Sequence, residues 1–504
     1  MPATDSNSTG RVYLVGAGPG DPGLITLRGV ELLRRADAVL YDYLVNPQIL
    51  GHAAADAELI CLGRHGQGRI MSQDDVNSQL VEFARAGKMV VRLKSGDPTV
   101  FAHIAEEIEA LTAAGIPFEI VSGITAAMAA ASFAGIPVTH RDLASSVALV
   151  TGQESGEGKT SKLDYSSLAA FSGTLVFYMG VTSSPHWTTA LMDAGLSADT
   201  PAVILRRCSW SDQQTINCTL RTVVEKIQAH SIRPPVLVIV GDVCRAAARS
   251  TWFTDRPLFG QTVLVTRPRH QSLGLCQRLS EFGAGCLVQP AIDIQPPSDW
   301  RPVDAALEGL SGYDWLVFSS ANGVRGLMDR MWQRDGDLRC LGGVKLAVIG
   351  PRTADELANY RLRPDVEPSQ FRAEALAEEL AGAAVGKRFL LVRASRGREV
   401  LSNQLAAAGG AVDQIVVYES VDVEQPSDEV RQALVDDSID WTTVTSSAIA
   451  RSLVSMFGER LRNTRLASIS PVTSDVLREL GFQPAVEATQ YTADGVVEAI
   501  LNAV

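Results

Sequence analysis

The stretch that decides the fold of the first half is residues 11–23, Arg-Val-Tyr-Leu-Val-Gly-Ala-Gly-Pro-Gly-Asp-Pro-Gly. Its apolar start predicts a buried β-strand, and the glycines after it predict a turn where a ligand can approach the backbone closely. A dinucleotide-binding turn would need a third glycine where Asp21 stands, and Pro19 and Pro22 remove N–H groups that a pyrophosphate would use. The stretch therefore indicates an α/β fold with a ligand site at the turn, and it argues against NAD.

Three further segments continue this pattern along the chain. Residues 90–101 read as a strand, a tight turn and the start of a helix. In that turn Gly96 permits close backbone approach, and Asp97 either caps the helix or accepts bonds from a ligand amine or ribose. Residues 120–126 read as another strand and Gly/Ser turn before an alanine-rich helix, and residues 135–142 form a loop dense in polar groups.

The composition bounds the class of protein. The chain has 504 residues, 46% of them hydrophobic and 6% aromatic, which is typical of globular α/β proteins with two or more domains. No apolar run approaches the roughly 20 residues that span a membrane, and polar residues 1–10 predict a disordered lead-in without a signal peptide. The seven cysteines form no Cys-x-x-Cys pair and no two-histidine metal motif occurs, so we expect reduced thiols, no metal and a cytoplasmic location. The net charge of −12 argues against a nucleic-acid-binding protein.

The second half contains an internal repeat. Three segments of an inner copy match three segments of an outer copy, in order: residues 313–320 with 439–446, 346–353 with 466–473, and 371–374 with 491–494. Each copy reads strand, Ser/Thr-rich turn, helix, strand, Pro-Thr turn and helix, which predicts two similar lobes with parallel sheets. A cleft between two such lobes is a common ligand site, and a duplication without a site in the cleft is the alternative.

These patterns divide the chain into domains. We expect a disordered lead-in, a first α/β domain, a linker and a second region, over residues 1–10, 11–249, 250–260 and 261–504 respectively. The simplest account of the repeat builds one lobe from about residues 261–294 plus 424–504 and the other from about residues 300–418.

Six motifs in order carry a resemblance for the first half: residues 15–23, 41–42, 92–98, 122–126, 135–142 and 176–180. Over about residues 10–255 the chain resembles uroporphyrinogen-III C-methyltransferase, in a class that includes cobalt-precorrin methylases, diphthine synthase and an rRNA ribose methylase. The resemblance implies a two-lobed α/β domain that binds S-adenosylmethionine between its lobes, and a homodimer formed through this half. The residues that align with the family's cofactor contacts are Pro19, Ser95, Gly96, Asp97, Val100, Thr125, Ala126, Met179 and Cys208, the last in place of a glycine.

The same resemblance implies the chemistry. An electron-rich pyrrole carbon attacks the sulfonium methyl, and the methylated ring then loses a proton, for which Asp42 aligns with the family's acceptor. A strand-end turn residue is the alternative for Asp42. Arg92, Lys94 and Arg141 are candidate partners for substrate carboxylates, with ordinary surface ion pairs as the alternative.

Arg64 departs from the family pattern, because it stands where the family has a lysine assigned as proton donor. Arginine stays protonated in proteins and is therefore a poor general acid. Two interpretations follow: Arg64 holds a substrate carboxylate as a fixed positive charge, which we favour, or His65 donates the proton instead. A solvated loop residue is a third interpretation of Arg64.

Over about residues 260–504 the chain resembles uroporphyrinogen-III synthase. The residues that carry this resemblance as site candidates are Ser319, Ser320, Thr353, Arg398, Tyr418, Ser446, Ser447 and Thr473, while Ala394 stands where a glycine is usual. The resemblance implies closure of hydroxymethylbilane with inversion of ring D, with Tyr418 donating a proton to the leaving hydroxyl and the Ser/Thr turns binding carboxylates. An apolar packing residue at the lobe crossing is the alternative for Tyr418.

The two resemblances support each other, because the product of the second half is the substrate of the first. Together they imply a bifunctional tetrapyrrole enzyme that ends at precorrin-2, with small-molecule substrates and no nucleic-acid or membrane partner. A non-catalytic two-lobed tetrapyrrole-binding module is the alternative for the second half. A siroheme synthase would need an additional NAD-binding domain, which no segment supplies, and the route downstream stays open between siroheme and cobalamin.

Overall fold

The computed structural model describes residues 10–54, 56–63, 71–153, 162–246, 251–397 and 399–504. Those residues form four five-stranded sheets, with helices between the strands. This architecture confirms the α/β fold class that the strand–turn–helix pattern predicts. No helix among the described residues is both long enough and apolar enough to cross a membrane.

The first sheet is parallel throughout, in strand order β3-β2-β4-β1-β5. Its strands are β1 (Arg11–Gly16), β2 (Ala38–Tyr41), β3 (Glu58–Cys61), β4 (Met89–Lys94) and β5 (Phe118–Val121). The central strands β1, β2 and β4 are largely buried, as expected for parallel strands covered on both faces. Because the carboxyl ends of parallel strands meet at one edge, the turns after β1, β2, β4 and β5 converge there.

The second sheet is mixed, in strand order β6-β7-β10-β8-β9. Its strands are β6 (Val147–Thr151), β7 (Thr174–Tyr178), β8 (Pro201–Arg206), β9 (Gln214–Thr219) and β10 (Val236–Val240). Strands β6 and β7 are parallel, whereas β10 runs antiparallel to both β7 and β8, and β9 runs antiparallel to β8. All of β10 is buried, in agreement with its β-branched apolar sequence.

The third sheet is parallel, in strand order β12-β11-β18-β19-β20. Its strands are β11 (Thr262–Val265), β12 (Gly285–Val288), β18 (Trp441–Val444), β19 (Arg465–Ser468) and β20 (Val486–Glu487). The sheet therefore joins two stretches of chain that lie far apart in sequence.

The fourth sheet has the strand order β13-β17-β16-β14-β15. Its strands are β13 (Ile292–Gln295), β14 (Trp315–Phe318), β15 (Lys345–Val348), β16 (Arg388–Ala394) and β17 (Ala411–Asp422). The sheet is parallel except for β13, which pairs antiparallel with the edge of β17. Residues 292–294, which the sequence places with the outer lobe, thus pair with the sheet of the inner lobe, and the exact lobe boundaries stay a prediction.

Helices connect these strands. In chain order they are α1 (Leu27–Leu33), α2 (Gln73–Arg85), α3 (Ile104–Ala113), α4 (Ala126–Ala134), α5 (Tyr165–Ala169), α6 (Ser184–Asp193), α7 (Val223–Ala229), α8 (Arg269–Glu281), α9 (Arg301–Glu308), α10 (Ala321–Gln333), α11 (Pro351–Asn359), α12 (Ala373–Ala381), α13 (Val400–Ala407), α14 (Asp428–Val435), α15 (Ser447–Phe457), α16 (Pro471–Glu479) and α17 (Ala493–Leu501).

The described residues divide into two compact units. The first holds the chain up to Gln289 together with Ser427–Ala450 and Glu459–Val504, and it contains the first three sheets. The second holds Pro290–Pro426 and Arg451–Gly458, and it contains the fourth sheet. The division into a lead-in, two domains and a linker stays a prediction.

Residues 251–260, which the sequence assigns to the linker, pack against their surroundings within the first unit. Phe253 is 3% exposed, and its ring centroid lies 4.6 Å from that of Phe133 on α4. Further along, the backbone N–H of Leu258 donates to the carbonyl of Phe282, which follows α8, at 2.8 Å. This segment therefore contacts both the helix after β5 and the helix after β11.

Candidate functional site

Four glycines bring the turns after β1, β4 and β5 into backbone contact. A Cβ atom placed on Gly16 would lie 2.5 Å from Cα of Gly123, and one placed on Gly123 would lie 2.2 Å from the carbonyl oxygen of Gly96. Gly96 also exchanges two backbone hydrogen bonds with Gly18, at 2.8 and 3.2 Å. No side chain fits between these strand ends, so they present a surface made of backbone, which we call the glycine platform (Gly16, Gly18, Gly96 and Gly123).

Asp97 fixes the turn that carries Gly96. One carboxylate oxygen accepts a hydrogen bond from the N–H of Thr99 at 2.8 Å, and the other accepts from the N–H of Gly123 at 2.9 Å. The side chain is buried. The first oxygen therefore holds the turn after β4 in shape, and the second ties it to the turn after β5. A direct bond from Asp97 to a ligand stays a prediction.

The glycine-rich turn after β1 is held by side chains that sequence reasoning missed. Indole Nε1 of Trp210 donates to the carbonyl of Pro19 at 3.1 Å, and Oγ of Ser209 accepts from the N–H of Asp21 at 3.0 Å. The available signal is that Ser209 and Trp210 stand three and four residues after the end of the buried strand β8. Ser209 also has a φ of 64°, an uncommon backbone conformation for a residue with a side chain.

Tyr178 contacts residues at, or next to, several of the predicted cofactor positions. Its hydroxyl accepts from the N–H of Ala127 at 2.9 Å and lies 2.7 Å from Oγ1 of Thr125, at the start of α4. Its ring centroid lies 5.0 Å from that of Phe101, which directly follows Val100. Burial raises the pKa of the Tyr178 hydroxyl, so the group stays protonated and keeps its donor.

Met179 and Cys208 flank this cluster. Met179 follows Tyr178 with a φ of 52° and a half-exposed side chain. The buried Cys208 places Sγ 3.8 Å from the carbonyl of Ala126, and burial raises the pKa of its thiol to about 12. The first unit thus brings Thr125, Ala126, Met179 and Cys208 together, and Cys208 contributes as a neutral, unreactive group.

Asp42 lies at the same sheet edge, directly after β2. One oxygen accepts from a terminal nitrogen of Arg92 at 2.6 Å, and the other accepts from the N–H of Ser95 at 3.2 Å. The Asp42 side chain is 30% exposed, whereas that of Arg92 is 5% exposed. The structure therefore places a fixed and accessible carboxylate next to the turn that carries Ser95 and Gly96.

Arg92 and Lys94 do not face outward. Nε of Arg92 and Nζ of Lys94 both donate to the same oxygen of Glu107, at 3.0 and 2.6 Å. Burial lowers the pKa of Arg92, but Asp42 and Glu107 outweigh it and raise the pKa overall. Burial lowers the pKa of Lys94, and the neighbouring Arg92 lowers it further. Both cations are thus paired within the fold, and their binding of substrate carboxylates stays a prediction.

The remaining candidates of the first half are less informative. Arg141 is exposed, on the loop after α4. Arg64 and His65 lie outside the described residues, and so does Arg398 of the second half. Among the described residues, no group of three or more His, Cys, Asp and Glu side chains could hold a metal ion.

In the second unit, Tyr418 is joined to the start of α10. Its hydroxyl lies 3.0 Å from Oγ of Ser320, which caps α10 by accepting from the N–H of Gly323 at 3.1 Å. The pairing of β16 with β17 shifts register between Arg393 and Ala394, so that Ala394 pairs with Tyr418. Register shifts of this kind change the direction in which the nearby side chains point. Burial raises the pKa of the Tyr418 hydroxyl, which therefore carries its proton.

Two other candidates of the second unit also lie at the carboxyl ends of strands. Oγ of Ser319 donates to the carbonyl of Val392 at 3.2 Å, and Thr353 is buried in the first turn of α11. Ser319, Ser320 and Thr353 thus follow the neighbouring strands β14 and β15 of the fourth sheet, whereas Tyr418 lies within β17.

The outer-lobe candidates lie in the first unit. Oγ of Ser446 accepts from the N–H of Ile449 at 3.2 Å, directly before α15, whose first residue is Ser447. Ser470 caps α16 by accepting from the N–H of Thr473 at 3.4 Å. The hydroxyl caps before α10 and α15 therefore occupy matching positions of the repeat.

Known proteins resemble each part of the chain. The family model of Tetrapyrrole (Corrin/Porphyrin) Methylases matches residues 11–224, and that of Uroporphyrinogen-III synthase HemD matches residues 275–498. A porphyrin biosynthesis protein HemD of Ruminiclostridium josui is 33% identical over 495 residues, which are 98% of each chain.

Two further proteins are similar to parts of the chain. A uroporphyrinogen-III C-methyltransferase of Bacillus subtilis (strain 168) is 41% identical over 353 residues, 69% of this chain and 71% of that protein. The crystal structure of a uroporphyrin-III C-methyl transferase from Thermus thermophilus, complexed with S-adenosyl homocysteine, is 38% identical, with a TM-score of 0.41. That match covers 47% of this chain and 100% of the other.

Proposed function

The chain belongs to the family that joins a tetrapyrrole methylase to a uroporphyrinogen-III synthase in one polypeptide, and from this premise we propose the reactions that its two halves catalyse. The second half closes hydroxymethylbilane to uroporphyrinogen III with inversion of ring D. The first half then methylates uroporphyrinogen III twice and forms precorrin-2 by way of precorrin-1. The chain is thus an enzyme of tetrapyrrole biosynthesis with consecutive activities.

One observation carries the methylation. Asp42 is fixed by Arg92 and by the N–H of Ser95, yet its side chain stays accessible beside the glycine platform. The methyl comes from the sulfonium group of S-adenosylmethionine, which binds against the glycine platform, where the strand ends pack without side chains and expose backbone. When a pyrrole carbon has gained the methyl, Asp42 accepts the proton that the ring loses.

The Tyr178 cluster supports the same proposal, because the Tyr178 hydroxyl contacts the predicted cofactor residue Thr125 and accepts from the N–H of Ala127, and so fixes the start of α4 on both sides of Ala126. Arg64 acts in this proposal as a fixed cation for a substrate carboxylate. Arg64→Lys is then expected to retain most activity, and Arg64→Ala to raise KM. A severe loss of turnover in His65→Ala with intact binding would make His65 the proton donor instead.

For the synthase half, Tyr418 supplies the proton. Its buried hydroxyl donates to the leaving hydroxyl of hydroxymethylbilane, which departs as water and leaves a cationic azafulvene for ring closure. The hydroxyl-capped starts of α10 and α15 bind substrate carboxylates through side-chain and backbone donors. We further propose that the chain is a homodimer formed through the methylase half, which sedimentation would test.

The deciding experiment feeds hydroxymethylbilane and S-adenosylmethionine to the intact chain and identifies the products. Precorrin-2 is the expected product, and hydroxymethylbilane without S-adenosylmethionine is expected to stop at uroporphyrinogen III. Methylation of added uroporphyrinogen III without enzymatic turnover of hydroxymethylbilane would mean that the second half is a tetrapyrrole-binding module. Lack of methylation of either substrate would overturn the assignment of the first half.

A further inference from the structure

Glu107 lies at the centre of a buried group of charges behind the methylase site. It stands on α3 and is completely buried, as 0% of its surface is exposed. Nε of Arg92 and Nζ of Lys94 both donate to its Oε1, and these two cations lie two residues apart on β4, so their side chains leave the strand on the same face. Lys94 is 1% exposed, so three titratable side chains lie next to one another in the interior beside the first sheet.

The positive and negative charges of this group are equal in number, and among its four side chains Asp42 is the accessible one. Arg92 and Lys94 carry positive charge, and Glu107 and Asp42 carry negative charge. Such buried charges persist only when each has a partner. Asp42 is the member with an accessible side chain, so any change at the three buried groups reaches the site through Asp42.

Arg92 is shared between two carboxylates. Its Nε donates to Glu107, one terminal nitrogen donates to Asp42, and the other donates to the carbonyl of Leu93 at 3.2 Å. Because the guanidinium is planar and rigid, the bond to Glu107 fixes the direction of the nitrogen that reaches Asp42. Without Glu107 the guanidinium could turn and grip both oxygens of Asp42, as arginine forks do with free carboxylates.

The second carboxylate oxygen of Glu107 indicates that this residue has a role beyond stabilising the fold through ion pairs. Oε2 of Glu107 is buried and has no hydrogen-bond partner among the described residues. An unpaired buried acceptor is unfavourable for folding, and such sites in native proteins call for a functional explanation.

We propose that Glu107 is a positioning residue of the methylase site, which divides Arg92 between two carboxylates and so keeps Asp42 free to accept the substrate proton. This inference rests on the proposed methylation. It assigns Lys94 the task of balancing the charge of Glu107.

The test is Glu107→Gln in the full chain, with uroporphyrinogen III and S-adenosylmethionine as substrates. We expect kcat for methylation to fall about 10- to 100-fold, a part of what a general base contributes, while KM for S-adenosylmethionine and the synthase rate stay unchanged. Glu107→Asp keeps the charge and should restore most of kcat. Glu109→Gln makes the same change at an exposed position of α3 and serves as the matched control.

A second variant separates positioning from simple charge balance. Lys94→Gln combined with Glu107→Gln removes one charge of each sign, so it should recover the folded stability that Glu107→Gln loses. Under the proposal kcat stays low in this double variant, because Arg92 is still free to grip Asp42. Recovery of kcat together with stability, or an unchanged kcat in Glu107→Gln, would overturn the inference. Absence of methylation in the unmodified chain would instead overturn the proposed function.

Discussion

The methylase site and the synthase lobes hold their candidate residues in different ways. In the methylase half, the accessible Asp42 is fixed by a guanidinium that is itself held by buried Glu107. In the synthase half, the candidates are hydroxyls at helix starts, such as Ser320 before α10 and Ser446 before α15. Ion pairs thus hold the candidate carboxylate of the methylase half, whereas neutral helix caps hold the candidate hydroxyls of the synthase half.

The difference matches the two proposed reactions. Each methylation ends with the loss of one proton from the ring, so a single carboxylate must point at that proton, and charged hydrogen bonds hold the carboxylate in place. Ring closure requires a long flexible chain with many carboxylates to be held in one shape, for which repeated N–H and hydroxyl donors suffice. The predictions below therefore separate effects on the rate of one half from effects on the other.

The largest effect is expected from Asp42→Asn. The amide keeps the shape and one acceptor oxygen but cannot take up the proton, so kcat for methylation should fall about 10²- to 10⁴-fold. The synthase rate of the same chain is the internal control, and uroporphyrinogen III should accumulate. Methylation at the rate of the unmodified chain would return Asp42 to the role of a turn residue.

Asp97→Ala is expected to weaken S-adenosylmethionine binding, because the turn beside the glycine platform loses its bonds to Thr99 and Gly123. A charged hydrogen bond left unmade costs about 1.5–3 kcal/mol, which corresponds to a rise in Kd of about 10- to 150-fold. Calorimetric titration measures this, with thermal unfolding as a check on folding. Equal affinity in a folded variant would remove Asp97 from the site.

Tyr418→Phe tests the role of the Tyr418 hydroxyl in the synthase reaction. The ring stays and the hydroxyl is lost, so the synthase rate should fall by about 10²-fold or less, while methylation is unchanged. Tyr313→Phe is the matched control, since the Tyr313 hydroxyl donates to the exposed Asp413 in the same unit. If both variants behave alike, Tyr418 is a packing residue.

The smallest effects are expected from the two helix caps. Ser320→Ala and Ser446→Ala each lose a capping bond and should lower stability by about 1 kcal/mol, measured by denaturant unfolding. Only Ser320 also contacts the hydroxyl of Tyr418, so only Ser320→Ala should lower kcat of the synthase, whereas Ser446→Ala should act on KM. Equal effects on kcat would mean that the link between Ser320 and Tyr418 has no role in the reaction.

Local patterns in the sequence predicted much of this fold. The alternation of apolar runs and Gly or Ser turns predicted the strands that carry Gly96 and Asp97, and the internal repeat predicted two similar sheets in the second half. Those signals are local, because each depends on residues within one strand and its turn. The pairing of the short strand β13 with β17 is not predictable in this way, because nothing in the residues of β13 determines which sheet edge it joins.

The contacts that support the sites were not predictable in the same way. Trp210 reaches the carbonyl of Pro19 across 191 positions of the chain, and Arg92 reaches Asp42 across 50. Arg92 and Lys94 read as outward-facing cations because charged residues are seldom buried. Only the sheet order, with β4 next to β2 and α3 packed nearby, turns them inward toward Glu107.

The packed segment 251–260 bears on how the two activities can be recombined. Besides the contacts of Phe253 and Leu258, the Gly260 N–H donates to the carbonyl of Ser211 at 3.0 Å, and a terminal nitrogen of Arg256 donates to that of Ser280 at 3.1 Å. Residues 251–260 therefore pack against residues on both sides and do not behave as a free flexible linker. A chimaera that takes its synthase half from a relative must therefore also keep the residues that segment 251–260 contacts, or those contacts must be redesigned.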